Sequence, residues 1–172
     1  MKTLYLVRHG TVHNPDRISY RRLPGFHLSE RGRREAEVAA DKLLEVPAEV
    51  IIHSPMERAE ETAAIINQTK QIPMLLEDKI NEWETYEDFA TVRSRMLEFF
   101  EDWVRSPERV GILVAHRDPI RALLHGLEGT EFVWADDRDL PFPLPPSGVW
   151  RVDNEGGRIE RKLIWQPETY RS

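Results

Sequence analysis

The sequence contains no cysteine, and this absence excludes several kinds of chemistry. Without cysteine the chain can form neither a disulfide nor a thiolate metal site, and it has no thiol nucleophile. It also lacks any apolar stretch near the roughly 20 residues that a membrane span requires. A strand pattern begins within the first three residues, which leaves no room for a signal peptide. We therefore expect a cytoplasmic protein without a membrane partner.

The chain has no overall excess of positive charge, since 30 acidic residues outnumber 24 lysines and arginines and the formal net charge is −6. This argues against nucleic acid as a partner, since phosphate contacts dominate that affinity. Residues 1–34 differ from the rest, with seven arginines against only Asp16 and Glu30. A basic region on an acidic protein can concentrate a small anionic ligand. For Arg31, Arg33 and Arg34, a solvated helix surface is the simpler interpretation.

Short, continuous apolar runs indicate the fold class. They lie at Leu4–Val7, Val50–Ile52 and Gly111–Ala115, and such runs are typical of strands buried on both faces of a parallel sheet. Segments with helical spacing alternate with them, and a hairpin is predicted around Asn154–Gly157. The sequence therefore predicts one α/β domain over residues 1–172. We expect a three-layer sandwich, in which a mostly parallel sheet has helices on both faces and an antiparallel C-terminal edge hairpin.

Three helix starts can be predicted from capping residues. Ser29 is expected to cap the first helix. The tetrapeptide Ser54-Pro55-Met56-Glu57 has the pattern of a capping box with proline at the first helical position. Asp118-Pro119 is expected to open the last helix, with Asp118 as its cap. Because capping explains Ser54 sufficiently, we do not assign it a catalytic role.

Histidine and arginine side chains follow the three apolar runs. Arg8 and His9 end the first, Arg58 lies on the helix after the second, and His116 ends the third. Ligands bind outside the carboxyl ends of parallel strands, so these side chains should converge. A neutral imidazole can attack phosphorus, and a guanidinium matches phosphate oxygens. Each residue alone also has a structural interpretation, but together they favour attack on a phosphoryl group.

The chain resembles the histidine phosphatase superfamily, also called the phosphoglycerate mutase-like family. The resemblance is carried by four motifs: Leu-Val-Arg-His-Gly at 6–10, Leu-Ser-Glu-Arg-Gly at 28–32, Ser-Pro-x-x-Arg-Ala-x-x-Thr-Ala at 54–63 and Val-Ala-His at 114–116.

This resemblance implies roles for the convergent residues. His9 would become phosphorylated, while Arg8, Arg58 and His116 would hold the phosphoryl group. No metal is implied, since the histidines lack metal-ligand spacing and positive charge is already supplied, and we expect no cofactor. Members of the family also have a general acid between the segment that carries Arg58 here and the segment that carries His116. Glu82 matches that place.

The general acid has a task that follows from the chemistry. A leaving alkoxide needs a proton, and water must later lose one to hydrolyse phosphohistidine. Nearby phosphate oxygens would favour the protonated form of a carboxyl group. Glu84 is the alternative to Glu82, because the local motif is imperfect. An exposed loop position without a catalytic role is the other interpretation of Glu82.

Two further residues are candidates for substrate binding. Asn14 lies in the loop after the nucleophile. Arg117 follows His116 where members of the family usually carry glycine. Its side chain would narrow the pocket or hold a second anionic group of the substrate, unless it points to solvent.

The favoured function is a metal-independent phosphomonoesterase acting on a small phosphorylated metabolite or a phosphoprotein. A phosphoglycerate mutase is the alternative, but residues 83–115 leave little chain for the insertion that shields phosphohistidine from water in mutases. A phosphate-binding module without turnover is a third hypothesis. We expect a monomer or homodimer, with Phe132, Trp134 and Phe142 forming an interface or capping the pocket.

Overall fold

A six-stranded sheet forms the middle layer of the part of the chain that the computed structural model describes, residues 1–130 and 142–167. The strands are β1 (Lys2–Arg8), β2 (Val50–His53), β3 (Met74–Leu76), β4 (Val110–Ala115), β5 (Val149–Glu155) and β6 (Arg158–Trp165). The helices are α1 (Glu30–Leu43), α2 (Glu57–Lys70), α3 (Phe89–Arg105) and α4 (Arg117–Glu128), with a 3₁₀ turn at Asp78–Ile80.

The strand order is β3-β2-β4-β1-β5-β6. The first four strands in this order run parallel, whereas β5 is antiparallel to β1 and β6 is antiparallel to β5. Gly156 and Gly157 join the last two strands, and both have positive φ angles, as a two-residue hairpin turn requires. The predicted parallel sheet with an antiparallel edge hairpin is confirmed.

Helices cover both faces of the sheet, which confirms the three layers. Side chains of α1 and α2 pack on the face that carries Tyr5, Val7 and Val114. Side chains of α3 and α4 pack on the opposite face, against Leu6 and Leu113. The central strands are buried from both sides, which is why their sequences are continuously apolar.

Strand β3 was not predicted from the sequence. It has only three residues and lies at the sheet edge, where Leu75 and Leu76 remain 51% and 59% exposed. Its residues Met74–Leu76 are all apolar, but a run of three at an exposed edge is too short to indicate a strand by itself.

Two of the three predicted helix caps are wrong. Ser29 does cap α1, since its hydroxyl accepts a hydrogen bond from the Gly32 N–H. Helix α2, however, begins at Glu57 after Met56, and no side chain caps it. Helix α4 begins at Arg117 with His116 in the cap position, so Asp118 lies inside the first turn. Both polar side chains have other partners: the Ser54 hydroxyl lies 2.7 Å from His116 Nε2, and Asp118 Oδ1 accepts a hydrogen bond from Arg117 Nε at 3.1 Å.

Phe142 belongs to the core rather than to a pocket rim or an exposed interface. Its side chain is 5% exposed, and its ring lies 5.3 Å from that of Trp150 in an edge-to-face arrangement. Phe132 and Trp134 lie outside the described residues.

The loop after β1 touches the start of helix α1 through two glycines. A Cβ atom on Gly10 would lie 2.4 Å from the Gly32 carbonyl oxygen, and one on Gly32 would lie 2.0 Å from the Thr11 carbonyl oxygen. The close backbone contact with α1 therefore explains why position 10 is glycine. This contact fixes the chain directly after His9.

We predict that Gly32→Ala lowers the free energy of unfolding by about 1–3 kcal/mol, because the added methyl group meets rigid backbone. Chemical denaturation measures the change. Gly126→Ala in helix α4 is the matched control, because the nearest atoms there belong to the flexible side chains of Leu97 and Arg93. Equal stability of the Gly32→Ala variant and the wild type would contradict the proposed backbone contact.

Candidate active site

Two histidines meet at the carboxyl edge of the sheet because β1 and β4 are adjacent and parallel. Arg8 pairs with Ala115 as the last residues of the two strands, so His9 and His116 follow side by side. The His9 N–H donates a hydrogen bond to the Ala115 carbonyl at 3.0 Å. The two imidazole rings lie 5.2 Å apart between centroids, with their planes inclined by 64°.

The geometry of His9 determines which ring nitrogen is reactive. Its Nδ1 lies 2.8 Å from the Gly10 carbonyl oxygen, which only accepts hydrogen bonds, so Nδ1 carries the proton. The lone pair is therefore on Nε2. Burial lowers the pKa of His9 well below its usual value, and the charges of Arg8 and Arg58 lower it further. The ring is neutral at physiological pH, as a nucleophile must be.

Arg58 is a buried cation with spare donors. Its side chain is fully inaccessible to solvent, and its Nη2 donates to the Arg21 carbonyl at 2.6 Å. Its Nε and Nη1 find no hydrogen-bond partner among the residues that the structure describes. A buried guanidinium with unused donors is costly unless an anion satisfies it. Arg8, which donates to the Leu144 carbonyl at 2.8 Å, lines the same site.

Glu82 joins the histidines and Arg58. Its Oε2 lies 3.5 Å from His116 Nδ1 and 4.0 Å from Arg58 Nη2. Burial raises the pKa of this carboxyl to about 7, with a further rise from Asp118, against the lowering effects of the Trp83 N–H and the two arginines. Glu82 can therefore give or take a proton near neutral pH. Glu84 lies instead beside Arg22, at 3.9 Å, outside the cavity that His9 lines.

Ser54 and Asn81 hold His116, and the sequence reasoning missed both. The Ser54 hydroxyl lies 2.7 Å from His116 Nε2 and 3.3 Å from Asn81 Oδ1. That same Oδ1 accepts the N–H of Glu82 at 2.8 Å. The side chain of Asn81 thus connects the main chain of Glu82 to the Ser54 hydroxyl, which in turn contacts His116. A signal was available for Ser54, since it directly follows a strand as His9 and His116 do.

A cavity of about 320 Å³ opens beside His9. Its polar wall includes Arg8, Glu82 and Asp118, and Tyr20 and Trp83 supply aromatic surface. The guanidinium of Arg21 lies 3.7 Å from the centroid of the Trp83 ring, which it covers. The cavity can therefore hold more than the phosphoryl group itself.

The two candidates for substrate binding lie in different surroundings. Arg117 lines the cavity, with its side chain 40% exposed and its Nε 3.1 Å from Asp118 Oδ1. Asn14 does not line it. Its amide closes the following turn, donating to the Ile18 carbonyl at 2.9 Å and accepting the Ile18 N–H at 3.0 Å. Asn14 thereby shapes the loop that carries Tyr20.

The described part of the chain, residues 1–130 and 142–167, offers neither a metal site nor a membrane-spanning helix. It contains no group of three His, Asp or Glu side chains that could hold a metal ion. No helix in this part of the chain is both long and apolar enough to cross a membrane.

The chain is similar to known proteins over part of its length. The family model for the histidine phosphatase superfamily, branch 1, matches residues 4–86. An uncharacterized protein of Mycobacterium tuberculosis is 52% identical over 63 residues, which are 37% of this chain and 31% of that protein. Phosphoserine phosphatase 1 of Hydrogenobacter thermophilus is 32% identical over 115 residues, which are 64% of this chain and 54% of that protein. The chain thus spans between about a third and about half the length of these two relatives.

The fold comparison extends over nearly the whole chain. The alpha-ribazole phosphatase of Shigella flexneri superposes with a TM-score of 0.80 at 19% identity, covering 94% of this chain and 95% of that one. The fold is therefore an α/β sandwich of the phosphoglycerate mutase type. The match to the histidine phosphatase superfamily covers residues 4–86 and includes the motifs that carry His9 and Arg58.

The raised pKa of Glu82 predicts a pH-dependent contribution to stability. The carboxyl ionises near 4.5 in the unfolded chain and near 7 in the folded protein, so the unfolded state binds fewer protons between these values. The free energy of unfolding contributed by Glu82 should therefore fall as pH rises through this range. Denaturation of wild type and Glu82→Gln at several pH values measures the difference between them. A difference that stays constant from pH 4.5 to 7 would contradict the assignment.

Proposed function

We propose that this protein is a phosphomonoesterase that works through a phosphohistidine at His9. The observation that carries the proposal is the neutral, buried imidazole whose Nδ1 proton is held by the Gly10 carbonyl, which leaves Nε2 as the attacking atom. The spare donors of Arg58 supply the charge that a phosphoryl group needs beside that nitrogen. Phosphoserine phosphatase 1, which is 32% identical over 115 residues, and the alpha-ribazole phosphatase, which has a similar fold, are phosphatases by name, and this supports the same class of reaction.

In the first step, the Nε2 lone pair of His9 forms a bond to phosphorus while the bond from phosphorus to the ester oxygen breaks. The departing oxygen takes the proton of Glu82, so an alcohol leaves and the carboxylate remains. Arg8, Arg58 and His116 stabilise the charge that grows on the phosphoryl oxygens.

In the second step, the Glu82 carboxylate takes a proton from water, and the water oxygen attacks phosphorus. The bond from phosphorus to His9 breaks, and inorganic phosphate leaves with the imidazole neutral again. A carboxyl pKa near 7 suits both halves of this cycle, because the group must act once as an acid and once as a base.

Hydrolysis is favoured over transfer to a second hydroxyl. The segment between Glu82 and His116 forms α3 and β4 with short connections. A mutase needs water excluded from phosphohistidine, and this segment contributes no covering insertion. The substrate of this hydrolysis is proposed to be a small phosphorylated metabolite or a phosphorylated protein side chain. A cytoplasmic location and a monomeric or homodimeric state stay predictions.

Arg117 is proposed to contact the substrate beyond its phosphoryl group. It lines the cavity, and the adjacent carboxylate of Asp118 holds its Nε. From there a guanidinium can bind a second anionic group, whereas Asn14 is proposed to act through the shape of its loop.

The direct test is release of inorganic phosphate from p-nitrophenyl phosphate and a panel of phosphorylated metabolites, with EDTA present. Wild type should turn over, and His9→Ala should be inactive because the nucleophile is gone. Arg117→Gly, run on the same panel, should change the ranking of substrates rather than abolish turnover. Activity of His9→Ala equal to wild type would contradict the mechanism. Tight binding of vanadate by a wild-type protein without turnover would favour a phosphate-binding module.

A further inference from the structure

The carbonyl oxygen of Glu82 receives two guanidinium donors from distant parts of the chain. Arg22 Nε, from the loop after β1, donates to it at 2.5 Å. Arg95 Nη2, from helix α3, approaches it at 3.4 Å.

One carboxylate, that of Glu87, fixes both guanidiniums. Its Oε1 accepts from Arg95 Nε at 2.8 Å, and its Oε2 accepts from Arg22 Nη2 at 3.1 Å. Only 7% of the Glu87 side chain is exposed. Burial alone would raise its pKa, but the hydrogen bonds from Arg95 and the Glu84 N–H and the two positive charges outweigh this effect and lower the pKa. The carboxylate is therefore ionised at neutral pH.

The segment around Glu82 depends on these contacts because it has little regular structure. Residues 81–88 lie between the 3₁₀ turn and helix α3 and belong to neither helix nor strand. The Arg22 contact also anchors the loop that contains Arg21, whose carbonyl accepts the Arg58 Nη2 donor. Glu87 thus links the segment of the acid, the loop beside Arg58 and helix α3.

We propose that Glu87 is a positioning residue for the reaction: by fixing Arg22 and Arg95 on the Glu82 carbonyl, it holds the Glu82 carboxyl within 3.5 Å of His116. This inference rests on the proposed function. It assigns to Glu87 a role exerted through Glu82, without contact to the substrate.

The test compares two esters that differ in their need for an acid. Glu87→Gln keeps the size of the side chain but removes its charge and places an amide group, a donor, where one acceptor oxygen was. Turnover of an alkyl phosphate, whose leaving alkoxide needs the Glu82 proton, should fall roughly ten- to a hundredfold, since general acid catalysis is typically worth about 100- to 10,000-fold. The first-turnover burst of p-nitrophenol, whose activated leaving group needs no acid and which precedes hydrolysis of phosphohistidine, should change by less than about twofold.

The pH profile supplies a readout that a merely structural role would not move. If Glu82 leaves its buried position, its pKa falls from about 7 toward the ordinary carboxyl value. The loss of alkyl phosphate turnover at high pH should therefore begin at a lower pH in Glu87→Gln than in wild type. An unchanged profile would count against the inference.

Asp88→Ala is the matched control for stability. Asp88 caps helix α3, with its carboxylate accepting the Thr91 N–H at 2.7 Å, so the variant weakens the same helix start from the neighbouring residue. It should leave the ratio of the two substrates and the pH profile unchanged. If Glu87→Gln does not fold, Arg22→Gln removes a donor from the same carbonyl through a side chain that is 25% exposed, and should shift both readouts in the same direction.

A double variant decides whether Glu87 acts through Glu82. In a Glu82→Gln background, Glu87→Gln should cause no further loss with the alkyl phosphate. The inference would be overturned if Glu87→Gln reduced turnover of both esters equally and did so in addition to the loss caused by Glu82→Gln. The phosphatase mechanism would remain intact in that case. A wild-type protein that hydrolyses neither ester would overturn the proposed function, and the inference with it.

Discussion

Burial of charge at one edge of the sheet is the constraint on which the site depends. Arg58 is fully buried with donors to spare, and burial raises the pKa of the Glu82 carboxyl to about 7. The same burial keeps His9 neutral and therefore nucleophilic. A dianionic phosphoryl group entering this site would satisfy the arginine donors and favour the protonated acid at once. In the proposed mechanism, substrate recognition and proton transfer thus have one physical origin.

The fold prepares this edge by placing a few backbone segments in close contact. Parallel pairing of β1 and β4 sets His9 beside His116. Gly10 and Gly32 let the loop after β1 lie directly on helix α1, and the buried hydroxyl of Thr62 accepts the Gly10 N–H at 3.2 Å. The Thr62 hydroxyl also donates to the carbonyl of Arg58 at 2.7 Å. The motifs that carry the family resemblance therefore largely make contacts that hold His9 and Arg58 in register.

The sequence was informative where function coincides with regular structure. His9 and His116 could be predicted to converge because they follow apolar runs that are typical of parallel strands. Arg58 could be placed with them because it lies in the first turn of the helix that follows such a run. Glu82 could be named only through the family resemblance, since no periodicity marks its segment. Ser54, Asn81 and Glu87 escaped because their roles depend on contacts between segments far apart in sequence. A capping pattern even gave the wrong reason for Ser54.

The most direct test of this account is to trap the covalent intermediate. The protein is mixed with a phosphorylated substrate that it turns over, quenched rapidly in alkali, which preserves phosphohistidine, and digested for mass spectrometry. We predict phosphate on His9 in the wild type and in no peptide of His9→Ala. A wild type that releases phosphate from the substrate without phosphorylated His9, or with the phosphate on another side chain, would contradict the account.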